Sequence, residues 1–137
     1  MPTRPTLYAP TIVQHAKNPQ HTTPVEEPTH QASVSNLICG DRITLQLRLQ
    51  NGHIQAVSHR TRGCALCIAS ASLMSNAILN QPVSSLQAQH DEAQDFVNQL
   101  PDTTSHPIHQ HFLGLKAAPA RKGCVLLPWQ ALLQALD

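Results

Sequence analysis

The sequence predicts an α+β fold in which a small antiparallel β-sheet, hairpin-based and of about three strands, packs against several α-helices. Three observations predict it. Ile43, Leu45, Leu47 and Leu49 alternate with Thr44, Gln46, Arg48 and Gln50, the period-two pattern of a strand with one buried face. Asn51-Gly52 follows at once, and both residues tolerate the positive φ of a two-residue hairpin turn. The Ala- and Ser-rich run from Ala65 to Leu79 is too long for a typical strand and reads as a helix whose small side chains allow close packing on a sheet.

Six of the eleven prolines fall at Pro2, Pro5, Pro10, Pro19, Pro24 and Pro28. Residues 1–35 therefore read as an N-terminal arm with one short helix around Thr6–Lys17, and Gln20–Ser35 as an irregular, mobile stretch. Residues 36–137 read as the folded unit of a single-domain protein, with order beginning near Cys39. His53–Thr61 is the returning strand of the hairpin, alternating more weakly through Ile54, Ala56 and Ser58.

Pro82 ends the Ala65–Leu79 helix, and Ser84 or Ser85 is placed to cap a further helix reaching about Gln99. Leu86, Ala93, Phe96, Val97 and Leu100 supply its apolar contacts. Asp102–Gln110 is a polar connector, followed by a short helical piece around His111–Leu115. Val125–Leu136 is the last helix, with Trp129, Leu132, Leu133 and Leu136 on one face and Pro128 near its start, where a missing amide hydrogen costs least.

At 137 residues and 15.0 kDa the chain is the size of one domain able to bury a core. Only one Trp, one Tyr and two Phe occur, so that core is aliphatic. A net charge of +1 and 12% charged residues give no field for nucleic acid, and stacking platforms are lacking. No apolar run reaches the length of a membrane span. The opening MPTRPTLYAP lacks the apolar core of a secretion signal. A cytoplasmic location follows as the expectation, with reduced thiols and the cysteines serving as ligands or nucleophiles.

The four cysteines are Cys39, Cys64, Cys67 and Cys124. Cys64 and Cys124 fall at predicted helix N-termini, beside Arg62 and beside Arg121 and Lys122, where the helix end and the cations favour a thiolate. On an extended chain Cys39 and Asp41 point to one side and can reach one metal ion. The hairpin folds Cys64 back towards Cys39. Three thiolates and one carboxylate form a tetrahedral set acceptable to zinc or to a cluster iron. Against these stand blander readings: any one of these cysteines could be a small core residue, and Cys67, a turn into the alanine-rich helix, is read as one. Cys64-x-x-Cys67 has no second CxxC to complete a zinc ribbon. His106, His109 and His111, in the histidine-rich connector His106–His111, resemble a chelating cluster but read as solvated in so polar a segment.

CGDRITLQLRL around Cys39, GCALCIASASLMSNAI around Cys64 and PARKGCVLLPWQAL around Cys124 resemble the SufU/IscU family, the NifU N-terminal-like iron–sulfur assembly proteins. The likeness runs from about Asn36 to the C-terminus, and LYAPTIVQHAKNP, with Tyr8, His15, Asn18 and Pro19, resembles the family's leading helix. A histidine precedes the third cysteine in the IscU branch, whereas Gly123 stands there in this chain. The long separation of Cys64 from Cys124 and the PARKGC approach are similar to SufU. Three positions depart from the pattern: Asn36-Leu37 replaces Asn-Pro, Cys67 is additional, and Lys122-Gly123 alters the dipeptide before Cys124.

The resemblance implies a small antiparallel sheet covered by helices, with zinc held at one end by Cys39, Asp41, Cys64 and Cys124. It implies Cys39 as sulfur acceptor and Arg121 as an auxiliary residue beside the metal. The implied function is zinc-dependent sulfur transfer, in which a pyridoxal-phosphate-dependent cysteine desulfurase of SufS type is the donor and downstream Suf assembly proteins are the acceptors. The alternative is a scaffold, not an enzyme, on which iron and sulfide form a transient 2Fe–2S cluster at Cys39, Cys64 and Cys124. A structural zinc module that binds a protein partner is the third reading, weakened by the aspartate. A monomer or weak dimer, without nucleic acid or membrane, completes the expectation.

Overall fold

Ile43, Leu45 and Leu47 are fully buried along strand β2 (Asp41–Gln50), while Thr44 and Gln46 between them are half-buried and Arg42 before them is exposed, as the alternation requires. Strand β3 (His53–Arg62) returns antiparallel after a tight turn in which Asn51 and Gly52 take φ of 54° and 75°. The computed structural model describes residues 6–137; Pro2 and Pro5 of the expected arm lie outside them. A third strand, β1 (His30–Asn36), adds to the free edge of β2 and gives the sheet order β1-β2-β3.

That edge strand corrects the expectation of irregular chain up to Ser35. Its register runs from His30 opposite Leu47 to Asn36 opposite Asp41. HQASVSN carries only Ala32 and Val34 as apolar residues, so it has a strand's alternation without its hydrophobic amplitude. Pairing to an already formed β2, which no local signal reports, settles its conformation.

Helix α1 (Pro10–Lys17) packs on helix α2 (Ala65–Ile78), burying Ile12. Ser72 of α2 joins it to the following segment. Its hydroxyl accepts from the Gln20 amide at 2.8 Å and so has its own proton to give to His15 Nδ1, also at 2.8 Å. His59 on β3 anchors the same segment from the sheet side, its Nε2–H donating to the Gln20 carbonyl at 2.8 Å. Burial lowers the pKa of both His15 and His59. The arm from residue 10 onward is thus held between helix and sheet.

The small residues of α2 do what the sequence implied. Ala69, Ser70, Ala71, Ser72 and Ser75 are all buried, and the Ser70 hydroxyl donates to the Val125 carbonyl of helix α4 (Lys122–Leu136) at 2.6 Å. Helix α4 begins three residues earlier than expected, because a 3₁₀ turn over Pro119–Arg121 leads directly into it. Pro128 therefore lies inside the helix. Lacking an N–H, it leaves the carbonyl of Cys124, four residues before it, without its helical donor.

Helix α3 (Leu86–Gln99) buries Leu86, Ala93, Phe96 and Val97 as expected. It is not capped by a serine side chain: a 3₁₀ turn over Val83–Ser85 introduces it, and the Ser85 hydroxyl donates to the Pro82 carbonyl. The expected helical piece at His111–Leu115 lies within a 3₁₀ segment, His109–Ala117.

The connector holds the largest departure. His109 is buried, not solvated, stacked on His106 at 3.8 Å and on Phe96 at 5.0 Å between ring centroids. His106 Nδ1 accepts from the amides of Ile108 and His109, so its Nε2–H faces Glu92 Oε2 at 3.2 Å. Both ring nitrogens of His109 lack partners, and burial pushes its pKa down to about 4.

An ordinary histidine in the unfolded chain protonates near pH 6.5, so between that pH and about 4 the unfolded state binds the extra proton. The contribution of His109 is complete above pH 6.5 and declines as pH falls through this window. Denaturant unfolding at pH 7.5 and 4.5 is expected to show wild type losing about 2 to 3 kcal/mol more than His109→Phe, which keeps the stack but cannot ionise. Equal losses would refute the assignment.

Candidate metal centre

Asp41 is the first residue of β2, and its carboxylate points inward to a site 2% exposed. Cys39 lies two residues earlier, in the turn 37–40 between β1 and β2. The expected convergence of Cys39 and Asp41 occurs, though by a turn through Gly40 (φ 74°) and not by extended chain. Cys124, fully buried in the first turn of α4, approaches from the helical layer. One ligand atom from each of Cys39, Asp41 and Cys124 lies within 4.8 Å of the others.

Cys64 is delivered by the hairpin. Arg62 pairs with Arg42, so Gly63 and Cys64 follow directly beside Asp41, and Cys64 takes the N-cap position of α2. Its amide donates to Asp41 Oδ1 at 3.1 Å. Its thiol faces Cys124 and the Arg121 guanidinium, outside the 4.8 Å set. Arg121 itself sits beside Tyr8 and Cys64, whose negative forms would hold its proton more firmly.

Two glycines shape this corner. A Cβ at Gly63 would overlap the Asp41 carboxylate, and the residue's φ of 155° disfavours any side chain. At Gly123 a Cβ would come 2.7 Å from Asn36 Nδ2. The Asn36 side chain, whose Oδ1 accepts from the Ile38 amide, thus occupies the space above the residue that precedes Cys124. Neither Asn36 nor Gly63 was legible as a site residue from spacing; the available signal was Gly63 itself, a glycine placed between a strand and Cys64.

The electrostatics of the corner would favour a cation. Asp41 Oδ2 is buried without a hydrogen-bond partner, a costly arrangement for a carboxylate oxygen. Burial drives the Cys124 thiol well above its usual pKa, and Asp41, Cys39 and Cys64 add to the rise. In the protein alone, burial and crowded acidic groups therefore outweigh the helix end that was expected to favour a thiolate. A cation among these donors would reverse that balance. Sulfur and carboxylate together suit zinc or a cluster iron, so the residues present fit such a group.

The remaining candidates fall elsewhere. Cys67 is fully buried in the core, and burial, with Asp41, Cys64 and Cys39 nearby, drives its pKa far up, in keeping with its reading as a small core residue. Among the described residues, His106, His109 and His111 form no ligand set. Leu37 and Ile38, 93% and 94% exposed, directly precede Cys39, and a cavity of about 560 Å³ opens beside them towards Val97, Leu126 and Leu127.

Known proteins share this arrangement of chain and fold. The chain is 28% identical over 129 residues to the zinc-dependent sulfurtransferase SufU of Bacillus subtilis, covering 93% of this chain and 87% of that protein. It is 27% identical to the iron–sulfur cluster assembly scaffold protein IscU of Thermotoga maritima, over 95% and 92% of the two chains. The crystal structure of a protein from Fervidobacterium islandicum, described as an iron–sulfur cluster assembly scaffold for the SUF system, superposes with a TM-score of 0.86 at 26% identity, over 96% and 97% of the chains. Among the described residues no helix is long and apolar enough to cross a membrane. Residues 7–125 match the NifU-like N-terminal domain, and the chain belongs to that family.

Proposed function

We propose that this chain is an iron–sulfur cluster assembly protein of SufU type. In this reading Cys39 accepts persulfide sulfur from a pyridoxal-phosphate-dependent cysteine desulfurase in the cytoplasm and presents it to downstream assembly proteins. One observation carries the reading: of the three clustered donors, Asp41 and Cys124 are buried while Cys39 is exposed on a turn. Cys64 is half-buried and Cys67 and Cys124 are buried, so Cys39 is the thiol best placed to meet a sulfur atom brought by another protein. The exposed Leu37 and Ile38 beside it offer apolar grip to such a donor.

Cys39, Asp41, Cys64 and Cys124 would hold zinc; the ion supplies a redox-inert positive charge that keeps the thiols deprotonated. The orphaned Asp41 Oδ2 supports this assignment, as does the Cys64 amide that fixes the orientation of Oδ1. Cys64, beside Cys124, completes the donor set. Arg121, next to Cys64, balances its charge and is an auxiliary residue.

Sulfur transfer is an exchange without net oxidation. The Cys39 thiolate attacks the outer sulfur of the donor's persulfide; a new S–S bond forms at Cys39 as the old one breaks and the donor leaves as a thiolate. The turn through Gly40 leaves Cys39 on an open edge of the site for this approach. The cluster-scaffold reading is less well supported, because Gly123 brings no side chain before Cys124 and Asn36 fills the space one would need.

Protein purified without oxygen is expected to contain about one zinc per chain and no acid-labile sulfide. Iron and sulfide in near-equal amounts would instead establish the scaffold. Gly63→Ala, which displaces Asp41, is expected to lose most of its zinc while retaining the far-ultraviolet spectrum of the fold. Zinc content equal to wild type would remove Asp41 from the ligand set.

After incubation with desulfurase and cysteine, mass spectrometry is expected to find an added sulfur on Cys39 in wild type and in Cys67→Ala, and none at that position in Cys39→Ser. Desulfurase turnover stimulated equally by Cys39→Ser would sink the relay.

A further inference from the structure

The outer face of the sheet carries a feature that the metal centre does not use. Side chains on β2 alternate, so Asp41, Ile43 and Leu45 point into the protein while Arg42, Thr44 and Gln46 line the opposite face. On β3, Arg60 and Arg62 are exposed on that same face. The register sets Arg42 directly opposite Arg62 and Thr44 opposite Arg60. Like charges placed directly across an antiparallel pair destabilise it. Yet among the described residues no carboxylate answers them; the ion pairs there belong to His90, His106 and Lys116.

These four residues bound a cavity of about 260 Å³. Arg42 is oriented by its Nε–H, which donates to the Ser33 hydroxyl at 3.2 Å on the edge strand, and Ser33 in turn bonds Thr44 at 3.0 Å. The guanidinium groups of Arg60 and Arg62 make no hydrogen bond among the described residues. A second cavity of about 200 Å³ shares Thr44 and Arg60 and continues past Gln46 and Ser58 towards Thr22 and Pro24. The two together form a polar groove that follows β2 for about 13 Å from Arg42 to Gln46, at about 3.3 Å per residue.

We infer that this groove is the docking site for an acidic, extended segment of the sulfur-donating protein, its Asp or Glu side chains paired with Arg42, Arg60 and Arg62. The inference rests on the proposed sulfur-relay reading for the identity of the partner. Charge complementarity argues for the occupant: three guanidinium forks, each suited to bidentate carboxylate recognition, stand together with no counter-ion among the described residues. The groove's length matches about four residues of extended chain. No Phe, Tyr or Trp lines it, and His59 at its inner end is buried and bonded to the Gln20 carbonyl, so it lacks the stacking surface by which single-stranded nucleic acid is held.

Its place in the chain gives the contact a purpose. Arg42 follows Asp41 directly, and Arg62 precedes Cys64 by two residues. An acidic segment held on the outer face would therefore anchor its protein at the end of the sheet where Cys39 is exposed. Attraction between unlike charges would speed encounter and orient the donor before the thiol is engaged.

Titration calorimetry of the zinc-loaded full chain against the cysteine desulfurase, at 50 mM and at 300 mM KCl, tests this. Wild type is expected to bind about tenfold more weakly at the higher salt. The Arg60→Gln/Arg62→Gln variant should bind about tenfold more weakly than wild type at low salt and lose most of the salt dependence, while Lys17→Gln, the same kind of charge loss on an exposed residue of α1, should behave as wild type. A hexaglutamate peptide should compete with the desulfurase for wild type.

Unchanged affinity and salt dependence in the double variant would overturn the proposal. So would competition by inorganic phosphate equal to that of the peptide, or preferential binding of an RNA oligonucleotide to the same arginines. Salt-dependent, arginine-dependent binding that leaves no sulfur on Cys39 would uphold the docking site and defeat the sulfur-relay reading, so the two fail separately.

Discussion

A buried carboxylate governs the architecture around the site. Asp41 stands at the first position of β2 with one oxygen held by the Cys64 amide and the other without a partner. An unpartnered carboxylate oxygen is costly inside a protein unless the group is neutralised or a compensating charge reaches it, and a cation among the neighbouring thiols would offset that cost. Much of the local structure is fitted to that carboxylate. The hairpin register brings Cys64 to Oδ1, Gly63 leaves the space the carboxylate fills, and α4 brings the buried Cys124 thiol to the same point.

The helical layer is drawn together by small side chains. Alanine and serine along α2 let α1, α4 and the sheet approach closely, and the serine hydroxyls find backbone or histidine partners, leaving no unpaired buried hydroxyl there. The Ser70 bond to the Val125 carbonyl ties α2 to α4 one residue beyond Cys124. Pro128 then withholds from the Cys124 carbonyl the donor that an uninterrupted helix would supply. Rigid packing behind the site contrasts with the exposed turn in front, where Cys39 lies between two solvent-facing apolar residues and Asp41. This asymmetry suits the proposed relay, in which a metal would be held from behind while one sulfur is offered to another protein.

Long-range geometry marks where sequence reading stopped short. Strong local signals, the β2 alternation, Asn51-Gly52 and the Ala65–Leu79 run, gave elements within a few residues of those observed. Weak ones misled: HQASVSN has too little apolar character to announce a strand, and the polar wording of the connector concealed a buried, stacked His109. At the candidate site the residue types and their order were legible, as was the return of Cys64 by the hairpin. The turn that brings Cys39 to Asp41, and the exclusion of Cys64 from the tightest cluster, were not.

By itself the sequence determined the class of fold, the strand–turn–strand unit and the stock of thiol and carboxylate donors, because periodicity and turn chemistry are properties of neighbouring residues. Tertiary structure alone decided which donors meet, which thiol faces solvent, that Asn36 occupies the space above Gly123, and that Arg42, Arg60 and Arg62 share one face. Those outcomes depend on packing and strand register between residues far apart in the chain, and no local pattern encodes the burial that sets a thiol's proton affinity or the register that gathers three arginines on one face.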